Sequence, residues 1–190
     1  MTTKRRRPTL KALLPRTDRA HDWFNFLKET QKDSDRGCAL LFGAILDVQV
    51  EKLLRSVLLQ QKGVVDPLFT YPGPLSSFSA KVRMAYSLRL LHHYEYRDLR
   101  RIIKIRNRFA HELHGVSFAK DPEIATLCQE LESRKVHGLA TANISNRWLF
   151  WLISASIVSD IDNRTLDQDT DERIPAHTVF EMAEDTDNDK

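Results

Sequence analysis

Three side chains near the middle of the chain, Arg106, Asn107 and His111, are of types that act on phosphate groups. Arginine binds phosphate oxygens through two parallel hydrogen bonds, and histidine exchanges a proton near neutral pH. Asparagine can orient the reacting group, and at helical spacing Asn107 and His111 share one face. The sequence therefore predicts a candidate catalytic set of Arg106, Asn107 and His111.

The helix that carries this set is predicted over about Glu95–Leu113, with a stop at Gly115. One stripe on it is apolar except for an arginine: Leu99, Ile102, Ile103, Arg106, Ala110 and Leu113. A guanidinium among apolar residues is costly unless a carboxylate, carbonyl or phosphate meets it. Two interpretations stay open. Either an anion or a partner subunit meets Arg106 in a groove, or its stem packs while its head reaches a surface acid.

A second stripe on the same helix is polar and basic. Its members are Arg100, Lys104, Asn107, His111 and His114, and Arg97, Arg101 and Arg108 add further charge. Apart from Glu95 at the start of the helix, only Asp98 and Glu112 oppose these cations. The face predicts nucleic-acid binding through Arg100, Lys104 and Arg108, with an ordinary solvated helix face as the alternative.

Charge is distributed unevenly along the chain. Residues 160–190 contain eleven acidic and three basic residues, a net charge of −8, which leaves +11 for residues 1–159. We expect a flexible basic arm (1–16), a helical domain (17–161) and an acidic, disordered tail (162–190). A basic body with an acidic tail predicts a polyanion-binding surface that the tail shields, or else a tail that only adds solubility.

Apolar spacing and capping residues predict an all-α bundle of about six helices, because no useful stretch alternates apolar and polar residues. The expected helices are Asp18–Gln31, 35–61, Ser76–His92, Glu95–Leu113, Asp121–Arg134 and Asn143–Asp160. The segment 64–74 has three prolines and a glycine, which predict a structured loop. That loop is far longer than the turn of a helix-turn-helix motif, so we expect none there.

Several classes of protein are excluded by what the sequence contains. The two cysteines, Cys38 and Cys128, match no zinc spacing and no disulfide framework, which favours a reducing compartment. The most apolar run, Trp148–Val158, is about half the length that spans a bilayer, and no apolar segment follows the basic N-terminus. We therefore expect a cytoplasmic protein without membrane contact, metal or cofactor.

The segment RNRFAH, Arg106–His111, resembles the Arg-Asn-x-x-x-His motif of HEPN domains. These are small all-α proteins that usually dimerise, so the resemblance implies an HEPN-like bundle with the motif facing its dimer mate. In the active ribonucleases of that group the motif cleaves RNA without metal. The resemblance implies that Arg106 would stabilise the phosphate, His111 would act as general acid or base, and Asn107 would position the ribose 2′-hydroxyl or the phosphate.

A longer resemblance covers about residues 20–160. The segments 34–59 and 73–91, followed by RNRFAH, are similar to the mannitol operon repressor family, and Gly73–Lys81 is the most distinctive piece. This resemblance implies a helical regulator of transcription that contacts protein or nucleic acid as a homodimer. The alternative hypothesis is a metal-independent endoribonuclease of toxin or defence type acting on RNA. A catalytically silent assembly module is a third.

Overall fold

The structure is a computed structural model that describes residues 20–58, 61–136 and 144–167. This part of the chain contains helices and loops and no strand, which confirms the predicted all-α bundle. The basic arm and most of the acidic tail lie outside the described residues. The described helices are α1 Ala20–Thr30, α2 Asp35–Val57, α3 Lys62–Phe69, α4 Phe78–Ser87, α5 His93–His111, α6 Pro122–Gln129, α7 Ser133–Val136 and α8 Asn146–Asp167.

Helix α3 was not expected, because the prolines of the segment 64–74 predicted a loop. Pro67 lies inside this helix, where it removes one backbone hydrogen bond. Tertiary contacts hold the helix in place: Phe69 is buried, Asp66 accepts a 2.6 Å hydrogen bond from Arg55, and Arg55 stacks over the Phe69 ring at 4.3 Å. The loop prediction was therefore wrong for the first half of that segment.

The predicted fifth helix is divided into α6 and the short α7. The buried carboxylate of Asp98 on α5 accepts the backbone N–H groups of Glu132 and Ser133, each at 2.8 Å. These bonds start a new helix at Ser133, because they take donors that a continuous helix would pair internally. The last helix, α8, extends to Asp167, seven residues past its predicted end.

Helix α2 lies at the centre of the bundle, where it packs against α8, α5, α4 and α1. Arg147 at the start of α8 pairs with Asp35 at the start of α2 at 2.8 Å. Arg36, also at the start of α2, donates hydrogen bonds to the carbonyls of Phe109 and Glu112 at the end of α5. Helix α5 therefore runs antiparallel to α2, and two arginines tie the starts of α2 and α8 and the end of α5 together at one end of the bundle.

The segment Gly73–Lys81 fixes α4 against α2. A Cβ at Gly73 would lie 2.1 Å from the carbonyl oxygen of Pro67, so only glycine allows this tight turn after α3. Lys81 is 5% exposed, and its Nζ lies 2.8 Å from Asp47 Oδ1 and 2.7 Å from Glu51 Oε2. The segment is a structural device that closes a turn and joins two helices by a buried ion pair.

Among the described residues, no helix is both long enough and apolar enough to cross a membrane. The most apolar helix, α8, instead supplies the core with consecutive buried residues from Leu149 to Val158. Phe42 of α2 meets two of its rings edge-on, Phe150 at 6.2 Å and Trp151 at 6.4 Å. Burial of α8 within the bundle accounts for its hydrophobic sequence.

Candidate functional site

The buried face of α5 differs from the predicted apolar stripe. Ile105 and Phe109 are fully buried, whereas Arg106, Ala110 and Leu113 are exposed, Leu113 at 80%. Leu99 and Ile102 belong both to the predicted stripe and to the observed buried face. Helical spacing alone therefore could not decide which of these two faces packs against the bundle. Phe109 packs against the buried Phe118 with ring centroids 4.9 Å apart and ring planes inclined by 47°, and this contact favours the observed rotation of the helix.

Arg106 lies at the edge of the contact between α5 and α2. Gly43 of α2 is buried beneath it, and a Cβ at Gly43 would lie only 2.6 Å from Arg106 Cγ. The aliphatic stem of Arg106 therefore packs on the α2 backbone, while its guanidinium is in solvent. This agrees with a packed stem, except that the head meets an amide instead of an acid: Nη1 donates to Asn107 Oδ1 at 2.9 Å.

The three residues of the predicted catalytic set are only partly brought together. Asn107 is half-buried and hydrogen-bonded to Arg106, and His111 is the exposed last residue of α5. Arg106 and His111 are five residues apart, so they leave the helix axis in directions roughly 140° apart. Within one chain, Asn107 shares a face with His111 and a hydrogen bond with Arg106. A catalytic role for the set stays a prediction.

Four cations of α5 line a groove of about 190 Å³ with Leu127 and Glu130 of α6; they are Arg97, Arg100, Arg101 and Lys104. We refer to these residues as the α5–α6 groove. Arg100 and Lys104 of the predicted nucleic-acid-binding set both belong to it and are both exposed. The Arg100 guanidinium lies 5.6 Å from the centre of the Tyr96 ring. No described residue pairs with Lys104, so its ammonium is available to a ligand.

The other two cations of the groove are paired with Asp98 of α5 and with Glu132, which lies between α6 and α7. Arg101 is 13% exposed and lies 3.3 Å from Asp98 and from Glu132, and Arg97 lies 2.9 Å from Glu132. Burial raises the pKa of the Asp98 carboxyl, although its hydrogen bonds to Ser133 and Glu132 and the charge of Arg101 oppose that rise. The paired arginines are fixed in place beside the exposed Arg100.

Arg108, the third predicted nucleic-acid-binding residue, is engaged elsewhere. Its Nε lies 2.7 Å from Asp121 and its Nη1 lies 2.9 Å from Glu123. The hydrogen bond that Arg108 donates to Asp121 raises the pKa of Arg108, and two carboxylates balance its single charge. Its role in binding nucleic acid stays a prediction, and the structure groups Arg100 and Lys104 with Arg97 and Arg101 instead.

Sequence reasoning missed Arg97 and Arg101 as members of a site, although it counted their charge. The spacing of 97, 100, 101 and 104 on one helix was the available signal. Their acidic partners from α6 and α7 could not be read from that spacing. Asp98, which seemed to face the cations, is fully buried beneath them.

Both cysteines of the chain lie among the described residues, together with His, Asp and Glu side chains of the types that bind metals. No group of three or more His, Cys, Asp or Glu side chains there is placed to hold a metal ion. Cys38 and Cys128 are buried free thiols, and burial raises the pKa of each to about 12. Both thiols are protonated at neutral pH and act as core residues.

Comparison with known proteins gives one family. The family model described as mannitol repressor matches residues 27–147, which extend from the last turn of α1 to the start of α8. The match includes the Gly73–Lys81 turn and the whole of α5. No curated protein and no solved structure matches the chain.

Proposed function

Because the chain belongs to the mannitol repressor family, which makes it a regulator of gene expression, we propose that it acts in the cytoplasm by binding nucleic acid in the α5–α6 groove. The observation that carries this proposal is the alignment of Arg97, Arg100, Arg101 and Lys104 along one groove. A regulatory protein with an acidic surface is the alternative ligand, and the binding experiment below separates the two.

The chemistry of the groove suits a phosphate backbone. Successive cations on one helix face lie about one turn, or about 5.4 Å, apart, so several can meet phosphates of one strand. Arg100 can bind a phosphate through two hydrogen bonds, and Lys104 acts as a point charge. Contacts to phosphates position a protein on nucleic acid but do not distinguish one base from another. We therefore expect the groove alone to give only a weak sequence preference.

The test is fluorescence anisotropy with labelled duplex DNA and labelled RNA. The groove variant replaces Arg100 and Lys104 with alanine. The control variant replaces Arg83 and Lys52, an exposed arginine and lysine outside the groove, so the net charge changes equally. We expect the groove variant to lose about tenfold or more in affinity and the control to bind almost as wild type. Equal losses would leave net charge as the cause, and no binding by wild type would favour the protein ligand.

We also propose that the chain forms a homodimer through the outer face of α2 and the end of α5. Leu41 and Val48 of α2 are 41% and 53% exposed, and with the exposed Ala44 they follow helical spacing. Leu113 adds a further exposed apolar side chain beyond α5. A second copy of the chain would cover these residues and bring the two Arg106–His111 segments near the dimer axis.

Light scattering tests the dimer at micromolar concentration. Replacing Leu41 and Val48 with glutamate should convert the dimer to a monomer, because two charges cannot be buried in that interface. Val136→Glu is the control, since Val136 is 48% exposed on α7, which packs on α5 and α8. A monomeric wild type, or a double variant that stays dimeric, would overturn the dimer proposal.

A second candidate function, metal-independent cleavage of RNA, is supported by one observation. Arg106 and Asn107 are joined by a 2.9 Å hydrogen bond beside solvent, on the same helix end as His111. Within one chain Arg106 and His111 diverge, so the reaction would need a second copy to bring them to one phosphate. Mixed RNA incubated with the protein in EDTA would be cleaved by wild type and left intact by His111→Ala. If the RNA stays intact with both proteins, the ribonuclease hypothesis is refuted and the regulator hypothesis remains.

A further inference from the structure

We infer that the acidic C-terminal segment, residues 168–190, binds in the α5–α6 groove and competes there with nucleic acid. The inference rests on the proposed function of the groove for its biological meaning. Its physical basis is independent of that function, because it needs only the charges of the groove, the charges of the segment and the place where α8 ends.

The segment and the groove carry opposite charge. Residues 168–190 contain eight acidic and two basic residues, a net charge of −6. Five of the acids are concentrated near the end: Glu181, Glu184, Asp185, Asp187 and Asp189. In the groove, Arg100 and Lys104 are exposed and have no carboxylate partner among the described residues. They are the charges that an acidic segment would neutralise.

Helix α8 ends beside the first turn of α5, and the groove begins farther along α5, on the opposite side of that helix. Arg164, one turn before the end of α8, donates to Glu95 in the first turn of α5 at 2.9 and 3.2 Å. The groove begins at Arg97, two residues farther along α5, and Lys104 is nine residues beyond Glu95, or about 13.5 Å along the helix. Along the axis of α5 the segment therefore starts near the groove, and it must pass around the helix to reach it.

The length of the segment allows it to pass around α5. From Asp167 to Glu181 an extended chain spans up to about 46 Å, several times the roughly 10–12 Å diameter of a helix. Alternate residues of an extended chain lie about 6.6 Å apart, and cations one helical turn apart on α5 lie about 5.4 Å apart. Asp185, Asp187 and Asp189 could thus meet successive cations of the groove.

Competition requires only weak contacts, because the segment is attached to the protein that it would inhibit. Exposed ion pairs contribute little individually. A covalent tether keeps the acids at an effective concentration in about the millimolar range, which favours several weak contacts together. Nucleic acid with enough phosphates would displace the segment. The segment would therefore reduce binding of short or weakly charged ligands more than binding of long nucleic acids.

A labelled synthetic peptide of residues 168–190 tests the contact directly, without nucleic acid. It is titrated into full-length protein whose five terminal acids, at 181, 184, 185, 187 and 189, are replaced by Gln or Asn, which we term the tail-neutral protein. We expect salt-sensitive binding that is about fivefold weaker when Arg100 and Lys104 are also replaced by alanine, the size expected for two exposed ion pairs. The Arg83 and Lys52 control should not weaken it.

Nucleic-acid binding tests the competition. At low salt the tail-neutral protein should bind labelled duplex about tenfold more tightly than wild type, and this gain should vanish in the groove variant. Absence of peptide binding, or an equal gain in both backgrounds, would overturn the inference. Peptide binding in the groove without nucleic-acid binding by either protein would instead refute the proposed function and leave the tail contact standing.

Discussion

Replacing Gly43 with alanine should displace Arg106 from the surface of α2. The added Cβ would lie 2.6 Å from Arg106 Cγ and 3.2 Å from its Cβ, both shorter than ordinary contacts between carbon atoms. The Cγ is near the base of the side chain, so a change of rotamer at the guanidinium end cannot relieve the clash. Either the Arg106 stem must rotate away or α5 must move from α2.

The expected magnitude follows from two opposing effects. Alanine in place of glycine inside a helix stabilises by about 0.5–1 kcal/mol. Overpacking of a closely packed contact costs about 1–3 kcal/mol. The net expectation is a loss of about 1–2 kcal/mol, which for a chain of this size lowers the Tm by about 2–8 °C. Arg106→Ala alone should cost less than about 1 kcal/mol, because the guanidinium is exposed.

Thermal melts of four proteins form the assay: wild type, Gly43→Ala, Arg106→Ala and the double variant. Truncating Arg106 removes the atom closest to the new Cβ, so the double variant should recover at least half of the loss, giving a favourable coupling between the two sites. Gly63→Ala is the matched control, because a Cβ at that helical position meets nothing within 4 Å. A Gly43→Ala protein that melts at or above wild type would refute the packing of Arg106 on α2.

Two further predictions concern buried charge. Burial opposes the charge of Lys81, but its bonds to Asp47 and Glu51 outweigh burial and raise its pKa. Lys81→Met should therefore cost about 2–3 kcal/mol in urea unfolding, because it removes the cation from Asp47 and leaves Glu51 with Arg55 alone. A cost below about 0.5 kcal/mol would contradict this. Burial, with a contribution from Glu95, raises the pKa of Asp160 from 3.8 to about 6, so the folded state holds its proton more tightly than the unfolded state. Stability should therefore fall as pH rises from about 4 to 6, and Asp160→Asn should remove that part of the pH dependence and raise the Tm at pH 7; an unchanged profile would refute it.

The sequence was most informative where a helix carries a clear cap or a continuous apolar face. Ser34 accepts the N–H of Gly37 as the cap of α2, and Asp121 followed by Pro122 caps α6, as their residue types predict. Helix α3 was missed because its stability depends on Arg55, which lies on another helix. The prolines of the segment 64–74 indicated a loop, and in the prediction they outweighed its apolar residues.

The site was harder to predict than the fold, because its electrostatics depend on contacts distant in sequence. Asp121 pairs with Arg108 from thirteen residues away and Glu132 pairs with Arg101 from thirty-one residues away. Helical spacing on α5 predicted a basic face but could not distinguish paired from available cations. It also could not show that a glycine on α2 makes room for the Arg106 stem.

The salt dependence of duplex binding tests the central claim, that the α5–α6 groove binds nucleic acid through its cations, most directly. Binding of labelled duplex is measured from 50 to 300 mM KCl for wild type, for the groove variant that lacks Arg100 and Lys104, and for the Arg83 and Lys52 control. Each phosphate contact contributes about 0.9 to the slope of log affinity against log salt. We expect a slope smaller by about 1.8 for the groove variant, which lacks two such contacts, and a wild-type slope for the control. Equal slopes for all three proteins would contradict it.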